Sequence, residues 1–183
     1  MPHNFITCED VTPSEYTLFE TILRQFKDYE ELVKIDKDLM TKRKTNFSFL
    51  WRFNIIYTAN ALNDDHEPKS LVNKTMKFIM KKEPKKEEME DPEQFEAIQH
   101  MKIFDTEARM LRDIIPWIEE AVGRKIGPKY YYYSETDKIL IMEDLVFSGL
   151  NSKKREEFTD NDVTSILHLM ADFHAGSVLL HEK

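Results

Sequence analysis

The stretch Phe47-Ser48-Phe49-Leu50-Trp51-Arg52-Phe53-Asn54-Ile55-Ile56-Tyr57 decides how this chain folds. Phe47, Phe49, Trp51, Phe53, Ile55 and Tyr57 occupy alternate positions. A period of two is the side-chain period of a β-strand, so these residues line one face of a sheet. Ser48, Arg52, Asn54 and Thr58 fall on the opposite face. Downstream, residues 59–70 (ANALNDDHEPKS) read as a polar connection, and Met76, Phe78 and Met80 form a second alternating run. Antiparallel pairing of the two runs is the economical topology.

Upstream, Thr12-Pro13-Ser14-Glu15 is a capping box with proline at the first helical position. Phe19, Ile22, Leu23 and Phe26 then recur at helical spacing, in a helix expected to fray near Asp28. A short strand is expected over Leu32 to Ile35. Past the hairpin, Lys81 to Gln94 is dense in charge, contains two prolines and has one methionine as its apolar content, which predicts an exposed loop. One long helix is expected from Phe95 to Ile115, with Phe104, Ala108, Leu111 and Ile115 on one face. Pro116 should kink or break it, leaving Trp117 to Val122 as a separate turn before Gly123. Gly127-Pro128 is a turn, Tyr130 to Tyr133 a strand, Ser134 to Asp137 a turn, and Ile139 to Met142 a strand. The last helix starts near Thr159-Asp160-Asn161-Asp162 and carries Val163, Ile166, Leu167, Met170 and Phe173 as its stripe. An antiparallel sheet with a long helix inserted between its strands is an α+β layout.

Bulk properties narrow the function. The 183 residues suit one domain, or one lobe and a half. Apolar residues at 41% supply a core, and a net charge of −8 repels a polyanion, so no nucleic-acid partner is expected. Cys8, the one cysteine, forms no internal disulfide and has no visible base. The first ten residues do not read as a signal peptide. No stretch reads as long and apolar enough to span a bilayer, so the expectation is a cytoplasmic protein with no membrane partner. His168 and His174 lie six apart on one helix, a poor metal spacing, and no metal site is expected. His174 is expected to be packed and hydrogen-bonded.

Glu107 lies at the border of the buried face of the long helix, where a carboxylate needs a cation. Lys81 ends the preceding strand. By spacing alone the plain reading is preferred: Glu107 is a helix-rim acid and Lys81 one of four nearby lysines. Ile141-Met142-Glu143-Asp144-Leu145 adds a strand that turns abruptly into two acids and a loop.

Together these pieces resemble the ecdysteroid-kinase-like family, also described as CHK-kinase-like and related to choline and aminoglycoside kinases. The likeness is carried by Glu107 followed nine residues on by Pro116, and by Lys129 to Tyr132 followed by Ile139 to Leu145. It is also carried by Gly149, by Leu169 to Ser177, by Ser48 with Arg52, and by Phe78 to Lys81 followed by Pro84. The resemblance implies a protein-kinase-like N-lobe over residues 1–145 and the first helices of an incomplete C-lobe over 146–183. It implies ATP as cofactor, with Lys81 on the α/β-phosphates, Glu107 bracing Lys81, and Met142, Glu143, Asp144 and Leu145 as the adenine hinge. Lys82 is the alternative if the strand register shifts by one. A complete relative would transfer the γ-phosphoryl group to a hydroxyl of a small lipophilic alcohol.

Two departures follow. The phosphate-covering turn, Thr41 to Asn46, holds no glycine, although backbone must approach phosphate closely there. The His-Gly-Asp catalytic loop and the acidic motif for Mg²⁺ are not found in these residues, so no catalytic residue is assigned and Mg²⁺ belongs only to a complete enzyme. The expectation is an incomplete, inactive kinase lobe; the alternative is a non-catalytic binding module. The stripe on the last helix would lack cover, which predicts self-association.

Overall fold

A computed structural model describes residues 10–40, 48–62, 68–89, 92–150 and 153–181. Cys8, Phe47 and the Thr41 to Asn46 turn lie outside the described residues. The chain is α+β: five antiparallel strands in the order β1-β2-β3-β5-β4, with helices. The strands are β1 Tyr29–Leu39, β2 Phe49–Leu62, β3 Pro68–Lys82, β4 Tyr130–Ser134 and β5 Ile139–Glu143. The helices are α1 Pro13–Leu23, α2 Pro92–Met101, α3 Ile103–Arg109, α4 Ile115–Val122 and α5 Asp160–His181. A π-helical turn, Met110–Ile114, joins α3 to α4.

The alternation read from the sequence sorts the sheet into two faces. Phe53, Ile55, Tyr57 and Ala59 of β2, Phe78 and Met80 of β3 and Ile141 of β5 are buried with Phe19, Ile22 and Leu23 of α1. Phe19 meets the rings of Phe53 and Phe78 at centroid distances of 4.5 and 5.5 Å. The capping box forms as expected, the Thr12 side chain accepting from the Glu15 amide and the Glu15 carboxylate from the Thr12 amide. The buried Lys37 meets Glu15 at 2.9 Å, tying α1 to β1. The other face packs Leu140 against Ala108 and Leu111.

Several element limits differ from the expectations. The hairpin ladder enters both ends of the expected polar connection, pairing Ala59 with Val72 and Ala61 with Ser70. Backbone pairing needs no apolar side chains where strands project beyond the core. For the same reason β1 extends well past Leu32 to Ile35. The expected loop is shorter at both ends, with β3 reaching Lys82 and α2 starting at Pro92. The single helix from Phe95 is two: Lys102 takes a left-handed backbone, φ 49, between α2 and α3. Such a conformation is costly outside glycine and turns the chain sharply. Pro116 does not break the rod that follows. The Ile115 amide bonds the Met110 carbonyl across the wider π turn, and helical backbone continues to Val122. The α1 helix ends at Leu23, before Asp28.

α5 packs on α4, where Gly176 is its buried residue and faces Ile118. Val163, Ile166 and Met170 are exposed, as expected, and so is Leu167, whereas Phe173, expected to lack cover with them, is partly buried. By length and composition alone α5 could cross a bilayer, which corrects the reading that no stretch qualifies. His174 corrects another expectation: its side chain is exposed.

Candidate functional site

Lys81 stands in β3 between Leu50 of β2 and Leu140 of β5, on the face toward α3. Its ammonium donates to Glu107 Oε2 on α3 and lies 5.4 Å from the Phe104 ring centroid. The two side chains are 20% and 30% exposed, so the pair is half-buried and reachable by a ligand. Lys82 projects from the opposite face, where it lines a cleft of about 1010 Å³ with Met80, Trp51 and residues of α1. The Lys81–Glu107 pair is not part of its lining.

A second tie holds α3 in place. Asp105 accepts from the Tyr133 hydroxyl of β4 and, at 2.6 Å, from Lys138 in the β4–β5 turn. The Lys138 bond, followed by that of Tyr133, holds the Asp105 carboxyl below the usual carboxylate range. Burial, reinforced by Asp105, pushes the Tyr133 hydroxyl up. With Asp105 fixed, Glu107 two residues later is presented to Lys81.

Met142 lies opposite Ile79 and packs with Ala108, Leu111 and Leu140. The Glu143 amide donates to the Lys129 carbonyl at 2.9 Å. Its carboxylate accepts from Lys125, from the Lys129 amide at 3.0 Å and from the Ser148 hydroxyl at 2.6 Å. Burial alone would raise this carboxyl, but the Lys125, Ser148 and Lys129 bonds outweigh it and hold it below the ordinary value. Asp144 is 2% exposed. Its amide donates to the Lys77 carbonyl at 3.3 Å, and its carboxylate accepts from Arg52 Nε at 2.7 Å and the Val146 amide at 3.1 Å. The Leu145 carbonyl accepts from the Leu150 amide at 3.0 Å, in a turn where Gly149 has φ 90. The Leu145 amide makes no hydrogen bond among the described residues. Glu143 and Asp144 are thus structural fasteners, with their amides and carboxylates bonded within the protein.

Sequence reasoning gave Arg52 no partner, nor did it find Lys125 and Ser148 for Glu143. The signal for Arg52 was an arginine on the polar face of a core strand, and the buried acid it serves was Asp144. Among the described residues no group of three or more His, Cys, Asp or Glu could hold a metal ion. Mg²⁺ takes as few as one or two carboxylates beside substrate phosphates; no Mg²⁺ ligand is assigned among these residues, and no phosphoryl-transfer step is derived through it.

The model of the ecdysteroid kinase-like family matches residues 45–183, a span that takes in β2 through α5. No curated protein and no solved structure matches the chain.

Proposed function

Because the chain belongs to the ecdysteroid kinase-like family, we propose that the open sheet face beside α3 binds ATP as the nucleotide lobe of a small-molecule phosphotransferase. The half-buried Lys81–Glu107 ion pair carries this reading. An ammonium has three donors; Glu107 takes one and fixes the direction of the rest toward nucleotide phosphates. The Leu145 amide is the hinge donor left for a base edge. When bound, ATP supplies the transferable γ-phosphoryl group. In a protein that also holds the His-Gly-Asp loop and Mg²⁺ ligands, the acceptor would be the hydroxyl of a small lipophilic alcohol. For the residues described here the proposal stops at nucleotide binding.

The test is a thermal-shift titration with Mg·ATP. Ligand at a hundred times Kd stabilises a protein by about 2.7 kcal/mol, an upward shift in Tm of roughly 5–10 °C at this size. Lys81→Ala should abolish the shift and Glu107→Gln should reduce it. A wild-type chain with no shift refutes the reading. The exposed stripe of α5 favours a second reading, a non-catalytic module that binds a partner instead of a nucleotide. A flat ATP titration would point to it.

A further inference from the structure

Arg52 lies opposite Ile79 in β3, and Ile79 lies opposite Met142 in β5. Asp144 is two residues beyond Met142, so the Arg52 side chain reaches it only by crossing the width of β3. It does so on the face that carries Lys81. Register fixes the order along that face: Lys81 first, then Arg52 level with Ile79, then Asp144 level with Lys77, with Leu145 next in the chain. The guanidinium therefore lies on the Lys81 face, hydrogen-bonded beside Asp144, the residue that precedes Leu145.

A brace for Asp144 would explain the bond alone. It does not explain the exposure. Asp144 is sealed at 2%, whereas the Arg52 side chain remains 30% open. A guanidinium is flat and delocalised, and it stacks on aromatic rings while its edge hydrogen-bonds a carboxylate. Held at its edge by Asp144, Arg52 has lost most of its freedom before any ligand arrives, so little is lost on stacking.

We propose that Arg52 is a nucleotide-positioning residue, its guanidinium pinned by Asp144 as the flat seat for the base between Leu145 and Lys81. This rests on the nucleotide reading above. Arg52 acts on the base and Lys81 on the phosphates, so the two are separable by ligand.

The experiment is calorimetric titration of the full chain with ATP, adenosine and inorganic tripolyphosphate. Arg52→Met alone would leave Asp144 buried without its cation and is prone to unfold. The double variant Arg52→Met/Asp144→Asn removes both charges and keeps an acceptor for the Val146 amide. It should bind ATP and adenosine about tenfold more weakly, the scale of one lost base stack, and tripolyphosphate unchanged. Lys81→Ala should show the reverse pattern, losing tripolyphosphate and ATP but not adenosine. If the double variant binds adenosine like the wild type, or weakens all three ligands alike, Arg52 has no base-specific role and this inference falls while ATP binding stands. If the wild-type chain binds none of the three, the nucleotide reading and this inference fall together.

Discussion

Individual carboxylates in this protein do structural work that shows in its response to acid. Lys138 and Tyr133 hold Asp105 below the usual range. Lys125, Ser148 and the Lys129 amide do the same for Glu143 against the opposing effect of burial. A carboxyl depressed in the folded state contributes stability in full above its unfolded value, about 4. That contribution fades as pH falls through the lower folded values. Melts taken from neutral pH down to about pH 3 should show a falling acid limb. Asp105→Asn should lower stability by about 1–2 kcal/mol at neutral pH and flatten that limb, because its charge-assisted bonds are partly exposed. A variant that parallels the wild type down the whole limb would show that Asp105 carries no such linkage. The same residue fixes α3 beneath β4, so this variant should also weaken any ligand that depends on Glu107.

Among elements, the contact of α5 with α4 is a close one at Gly176. A Cβ built on Gly176 would lie 2.6 Å from Ile118 Cγ2, too close for any real pair of atoms. Ile118 is fully buried and branched, so it has no easy retreat. Gly176→Ala gains about 1 kcal/mol of helix propensity and loses more to overpacking, for a net cost of about 1–2 kcal/mol. Ile118→Ala alone should cost about 2–4 kcal/mol by leaving a cavity. Combined, the two should cost less than their sum by about 1 kcal/mol, because the new methyl fills the space the isoleucine vacates. Urea unfolding of the four proteins measures this cycle, and strict additivity would contradict the packing described. The connection before α3 is also an element-scale matter. Lysine is an ordinary helix residue, so nothing in the sequence marked Lys102 as the break between α2 and α3. Only the demand that Phe104, Ala108 and Leu111 reach the sheet sets the turn there.

At the scale of the whole molecule, the exposed stripe of α5 matters most. Val163, Ile166, Leu167 and Met170 are each more than two-fifths exposed on one helix. A contiguous apolar face of that kind favours association even against a net charge of −8. Sedimentation velocity should show species that grow with concentration, and Ile166→Glu with Met170→Glu should return the protein to one slow species. A single species at every concentration in the parent chain would refute self-association. By itself the sequence determined the α+β class, the capping box at Thr12 and the faces on which the residues of β2 and Met76, Phe78 and Met80 of β3 fall. Those follow from periods of two and about 3.6 residues, which are local properties of the backbone. It also brought Lys81 and Glu107 forward as candidates, but spacing could not pair them. The tertiary structure decided that Lys81 meets Glu107 and that Arg52 meets Asp144, contacts between residues 26 and 92 apart in the chain. Such meetings depend on strand order, on register and on the turn at Lys102, none of which a local pattern encodes.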